Sequence, residues 1–116
     1  MSAYWIARSK ILDPERYWNY ARQIPDIVAR HGGRPLARGG RFHIAEGSQG
    51  FNRFVVLEFP TMQAAIDCYE SPEYQTARQH RLPPFGEAEI VIVEGGEFTS
   101  AGGLAAAAAA EAKKNA

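Results

Sequence analysis

The chain opens on an alternation of apolar and polar positions. From Ala3 to Leu12, Tyr4, Ile6, Arg8 and Lys10 share one face of an extended segment, and Trp5, Ala7, Ser9 and Ile11 share the other. Asp13-Pro14-Glu15 then carries helix-start chemistry: an N-cap, a proline at the first turn, and an acid beside the positive helix end. The spacing predicts one helix to about His31, burying Tyr17, Ala21, Ile24 and Val28, with Tyr20 and Ile27 widening the stripe. Pro25 falls inside it, and its ring meets the carbonyl of Ala21, so the axis is expected to bend there. Gly32-Gly33 supplies a left-handed end.

A second strand is expected from Arg34 to Glu46, interrupted at Gly39-Gly40 by a bulge, a bend, or the close approach of another backbone or a ligand. Gly47-Ser48-Gln49-Gly50 reads as a turn and Asn52 to Phe59 as a third strand. Pro60 stops that strand and Thr61 caps a helix with Met62, Ala65, Ile66 and Tyr69 on its apolar stripe. Ser71-Pro72-Glu73 starts another helix, which puts Tyr74, Arg78 and Arg81 on one face. Pro83-Pro84 and Gly86 break the chain. Glu87 to Glu94 is the fourth strand, and its Ile90-Val91-Ile92-Val93 centre predicts a central position in the sheet.

The order β-α-β-β-α-β predicts an α+β, ferredoxin-like fold: an antiparallel sheet with its main helices on one face. The other face is left bare. Trp5 and Ala7 are assigned to it, with Trp5 as an interface residue and Trp18 as core. A symmetric homodimer would cover that face. Residues 1–96 are expected to form this domain and 97–116 an Ala-rich mobile tail, because an isolated alanine helix this short is marginal in water.

Composition narrows the function classes. The 116 residues carry 13 Lys and Arg against 13 Asp and Glu, so there is no electrostatic case for nucleic acid or an anionic membrane as partner. Only Lys10, Lys113 and Lys114 are lysines; the remaining cations are arginines, which favour fixed, bidentate pairing with carboxylates or phosphates. The single Cys68 excludes an internal disulfide, fits a reducing cytoplasmic setting and has no base beside it in sequence. No secretory leader or membrane-span pattern is present. His31, His43 and His80 lie on separate elements without metal-ligand spacing, so no metal or resident cofactor is expected. No phosphate loop or nucleophile elbow occurs.

Two stretches carry candidate chemistry. Ala37-Arg38-Gly39-Gly40 sets a cation beside backbone with no side-chain bulk, where a small carboxylate could approach. The plainer alternative is an arginine paired with a helix carboxylate next to a bulge. Tyr69, Tyr74 and Arg78 could rim a cleft between helix and sheet. The plainer alternative has Tyr69 as core, with Tyr74 and Arg78 as solvated packing. As a general acid, a phenol there would need its pKa lowered by a neighbouring arginine. His80 and Arg81 belong to no pattern that points to chemistry.

Several segments together resemble the family catalogued as domain of unknown function 1330: Ala3-Tyr4-Trp5-Ile6-Ala7, Gly32 to Gly40, Glu58 to Ala65, Tyr69 to Gln75, and Ile90 to Gly95. The resemblance covers about residues 2–96 and implies the dimeric α+β-barrel superfamily, with two sheets closing a barrel and the helices outside. Wider relatives of that superfamily include cofactor-free monooxygenases, muconolactone-isomerase-like proteins and haem enzymes, so the fold does not select a reaction. The expectation is a small homodimer that binds, and in its enzymatic form transforms, a carboxylate-bearing or oxygenated small molecule without a bound cofactor. The ligand-binding residues would be Arg38, Gly39, Tyr69, Tyr74 and Arg78. The alternative is a non-catalytic metabolite-binding or structural dimer.

Overall fold

The computed structural model describes residues 1–96 and 111–112. The elements run β1 (Ala3–Ile11), α1 (Pro14–Ala21), α2 (Ile24–Arg30), β2 (Arg34–Arg38), β3 (Arg53–Phe59), α3 (Met62–Glu70), α4 (Pro72–Arg78) and β4 (Gly86–Glu94). They form one four-stranded antiparallel sheet in the order β2-β3-β1-β4, with the helices on one face. This is the ferredoxin-like α+β arrangement expected from the element order. Of the tail expected at 97–116, only residues 111–112 are described, and they are helical; the rest lies outside the described residues.

The helix starts follow their caps. The Asp13 carboxylate accepts from the Arg16 amide at 3.1 Å, Thr61 from Ala64 at 3.0 Å, and Ser71 from Tyr74 at 3.2 Å. Each satisfies one amide that the first turn leaves without a partner. Ser71 also donates to the Cys68 carbonyl at 2.8 Å, so one side chain closes α3 and opens α4.

The long first helix of the sequence reading is two helices. Pro25 has no N–H for the carbonyl of Ala21, and the chain breaks at Arg22-Gln23. The Arg38 Nη2 group donates to the Ala21 carbonyl instead. The predicted stripe is otherwise in place: Tyr17, Tyr20, Ala21, Ile24, Ile27 and Val28 are all buried. Gly32 ends α2 at φ +76°, in the left-handed region.

Three expectations about the sheet are overturned. First, β2 stops at Arg38, and residues 39–52, including His43, form no strand. The register irregularity lies between Pro35 and Ala37, ahead of the glycines. Second, β4 is an edge strand. Its two-sided apolarity arises because Ile90 and Ile92 face the helices while Val91 and Val93 lie on the open face. Third, the faces of β1 are exchanged. Trp5 is 2% exposed and packs between Phe59 and Tyr74, with ring centroids at 6.1 and 5.1 Å, whereas Ile6 is 46% and Trp18 60% exposed. Alternation shows that two faces differ, not which one the helices cover.

Candidate functional site between the sheet and the first helix

Small residues leave the room here. Ala7 and Ser9 on β1 and Ala88 on β4 lie beneath α1, and above them Tyr17, Tyr20 and Ala21 roof a cavity of about 30 Å³. That is space for one or two waters, or for a head group of a few atoms. Arg38 closes one side from the end of β2, Arg53 from the start of β3, and Arg81 from the segment after α4.

Gly39 makes the arginine side possible. Its φ is +73°, and a Cβ there would stand 2.7 Å from the Arg53 guanidinium. A side chain would suffer twice, from the backbone conformation and from the cation. Arg38 spends one donor on the Ala21 carbonyl. Burial and the like charge of Arg53 lower its pKa from the ordinary arginine value. Arg53 lies against the Tyr17 ring at 5.8 Å.

On the far side a buried polar relay runs through the core. The Arg81 Nη2 group donates to the Tyr74 hydroxyl at 2.9 Å, and Tyr74 and Tyr20 share a 2.8 Å hydrogen bond. Arg81 is only 5% exposed and lies over the Tyr20 ring at 5.2 Å. Burial opposes its charge, but Tyr74 and Tyr20 outweigh that and raise its pKa, so the guanidinium stays charged. Burial raises the pKa of both Tyr74 and Tyr20, and the nearby Arg81 does not reverse it. The condition for a phenolic acid working near neutrality is therefore not met. The hydroxyls serve as neutral hydrogen-bonding groups. Tyr17 completes the polar lining by donating to Ser9 Oγ at 3.2 Å.

The charge balance is one-sided. Among the described residues the ion pairs are Arg8–Glu89, Lys10–Glu87 and Arg34–Glu58. None involves Arg38, Arg53 or Arg81. Three guanidinium groups thus face one cavity lined otherwise by neutral side chains.

The five residues singled out from the sequence do not converge. Arg38 and Gly39 lie at the cavity's arginine side. Tyr74 is buried behind it and reaches it only through Tyr20 and Arg81. Tyr69 and Arg78 line a separate groove of about 280 Å³, beyond Arg81 and over Ala88, Ile90 and Ile92. Ser9, Tyr17, Tyr20, Arg53 and Arg81 escaped the sequence reading. A signal existed for the tyrosines: two hydroxyls on the buried stripe of one helix must find partners inside. Arg81 had its place on one helix face with Tyr74, but no pattern pointed it to chemistry; Arg53 had none, because only the fold brings it to Arg38.

Residues 2–96 match the family described as domain of unknown function DUF1330. The chain belongs to that family. Comparison with curated protein sequences found no match. Among solved structures, a protein of unknown function from Rhodopseudomonas palustris is similar at 17% identity and TM-score 0.66, covering 81% of this chain and 82% of that one. A dimeric ferredoxin-like protein of unknown function from Jannaschia sp. is similar at 12% identity and TM-score 0.67, covering 82% and 100%. A cofactor-independent oxygenase from Streptomyces nogalater is similar at 14% identity and TM-score 0.54, covering 81% and 92%. These likenesses establish the shared fold of this DUF1330 chain, and its chemistry has to be argued from its own residues.

Proposed function

We propose that this DUF1330 protein is a homodimer that binds a small carboxylate-bearing molecule, head group inward, in the cavity between sheet and α1, without a resident cofactor. The observation that carries the ligand class is the convergence of Arg38, Arg53 and Arg81, none of which forms an ion pair among the described residues. An oxyanion would offset the burial and the like charge of Arg53 that lower the Arg38 pKa, and would occupy guanidinium donors in a partly desolvated site. The cavity volume limits what enters to a head group.

The dimer reading rests on the open sheet face, where Ile6, Val91 and Val93 form an exposed apolar centre, and on a dimeric ferredoxin-like neighbour. Closing two such faces would make the α+β barrel.

Binding without turnover is the reading the geometry supports best, since neither relay phenol is poised to move a proton near neutrality. A second reading is transformation, with the Tyr20–Tyr74–Arg81 relay holding a developing oxyanion through neutral hydroxyls. The similarity to a cofactor-independent oxygenase supports no more than its compatibility with the fold.

Calorimetric titration with acetate and pyruvate tests the ligand class. The expected result is saturable binding that Arg53→Gln weakens at least tenfold, since each charge-assisted hydrogen bond contributes about 1.5–3 kcal/mol. Arg53→Gln is preferred to an Arg38 variant because Arg38 also holds the Ala21 carbonyl. Equal affinity in the variant, or no binding of either acid, overturns the proposal.

A further inference from the structure

The groove beyond Arg81 is physically unlike the inner cavity. Its floor is apolar, made by Ala88, Ile90 and Ile92 on the helix face of β4. One wall is the ring of Tyr69, which is held in an aromatic cluster with Trp5 and Tyr74 at centroid distances of 5.8 and 5.2 Å. Two cations, Arg78 and Arg81, complete the lining. Neither forms an ion pair among the described residues, and the buried Nε of each meets no acceptor. Arg81 has five N–H donors, and its Nη2 group donates to the neutral Tyr74 hydroxyl.

A buried guanidinium without a counter-charge is costly unless something supplies one. The open-face cations of this same chain show the ordinary solution. Arg8 and Arg34 each hold a glutamate at hydrogen-bond distance although they are far more exposed. Arg78 and Arg81 border a groove with a three-residue aliphatic floor instead. The volume of about 280 Å³ lies near the lower end of the roughly 300–1,000 Å³ typical of small-molecule sites, so one compact ligand fills it.

We infer that this groove is a second ligand site, for a monocarboxylic acid with an apolar body. The carboxylate meets the Arg78 and Arg81 guanidinium groups, and the hydrocarbon part lies over Ile90 and Ile92 against the Tyr69 ring. The requirement for both parts follows from the lining. A simple inorganic anion leaves the aliphatic floor wet, and a neutral hydrocarbon leaves both cations without a counter-charge. The inference does not rest on the reading of the inner cavity, with which the groove shares Arg81, Ala88 and Ile90 as a wall.

The test is a methyl NMR titration of the full chain with octanoate and with benzoate, using octanol and benzamide as uncharged controls. The expected result is saturable shifts of the Ile92 and Ile90 methyls with at least one acid, and none with the neutral analogues. Arg78→Gln, at a half-buried position, should weaken acid binding at least tenfold, while Arg53→Gln leaves the Ile92 response unchanged. The inference is overturned by acids that do not shift Ile92 at millimolar concentration, by neutral analogues that bind equally well, or by an Arg78→Gln variant that binds as the parent does. Loss of the Ile92 response in Arg53→Gln would place the acid in the inner cavity and likewise overturn it. Acetate binding is read by Arg53→Gln and octanoate binding by Arg78→Gln, so failure of one proposal is distinguishable from failure of the other.

Discussion

The two faces of the sheet treat positive charge in opposite ways. On the open face Arg8, Lys10 and Arg34 each pair with a glutamate on the neighbouring strand, at 2.5, 3.8 and 2.9 Å. On the helix face Arg38 and Arg53 are partly buried and Arg81 is buried, yet none has an ion pair among the described residues. Surface pairs of the first kind contribute little to stability, commonly about 0–1 kcal/mol, and their use here is to neutralise the rim of an apolar surface. Enclosed charges of the second kind are costly to fold around. A sheet that pairs the charges of its open face and leaves those under the helices unpaired is arranged for packing on one face and for an external anion on the other.

The sharpest way to break this comparison is to exchange the roles of neighbouring residues on β1 and β4. Trp5→Ala removes a side chain packed against Phe59, Tyr69 and Tyr74 and should cost about 3–5 kcal/mol in urea unfolding. Val91→Lys alters a residue 61% exposed and should leave a folded protein, but one that sediments as a single chain where the proposed dimer has the parent sediment as two. A dimeric Val91→Lys protein would show that the subunit contact lies elsewhere. A Trp5→Ala cost below 1 kcal/mol would mean that the face assignment is wrong in solution.

That assignment is also where the sequence was least legible. The caps at Asp13, Thr61 and Ser71, the α1–α2 stripe and the glycine end at Gly32 are local chemistry, and each was readable from a few neighbouring residues. Which face of β1 lies under the helices is not local. Trp5 and Ile6 are both apolar, and only the small residues at Ala7, Ser9 and Ala88 mark the side where α1 comes close. The edge position of β4 was hidden for a related reason: an open apolar face makes an edge strand read like a central one. The candidate site was half legible. Arg38 and Gly39 form a contiguous signal, whereas Arg53 and Arg81 are 15 and 43 residues from Arg38 by their numbering and meet it only through the fold.

A smaller effect probes how dry the helix side is. Burial pushes the Cys68 thiol from its ordinary 9.0 up to about 11. A raised folded-state pKa adds stability that is complete below the unfolded value and is lost as pH climbs through the folded one. The loss therefore falls between about pH 9 and 11. The difference of 2 units, at about 1.4 kcal/mol each, puts it at about 2–3 kcal/mol. Tyr20 and Tyr74 are shifted in the same direction and extend the loss to higher pH. Urea midpoints at pH 8 and 10.5 should fall less in Cys68→Ala than in the parent. An identical fall would show that water reaches the thiol.

The smallest effect tests the relay itself and has a built-in asymmetry. Tyr20→Phe removes one neutral hydrogen bond, and Tyr74 keeps its bond from Arg81, so the cost should be about 0.5–1.5 kcal/mol. Tyr74→Phe should cost more than Tyr20→Phe, because it removes the hydroxyl to which a buried guanidinium donates. Tyr4→Phe, on the open face with no side-chain hydrogen bond among the described residues, should change stability by less than about 0.5 kcal/mol. If the Tyr74 variant costs no more than the Tyr20 variant, Arg81 finds another acceptor in solution. The anion reading of both the cavity and the groove would then lose the cation that they share.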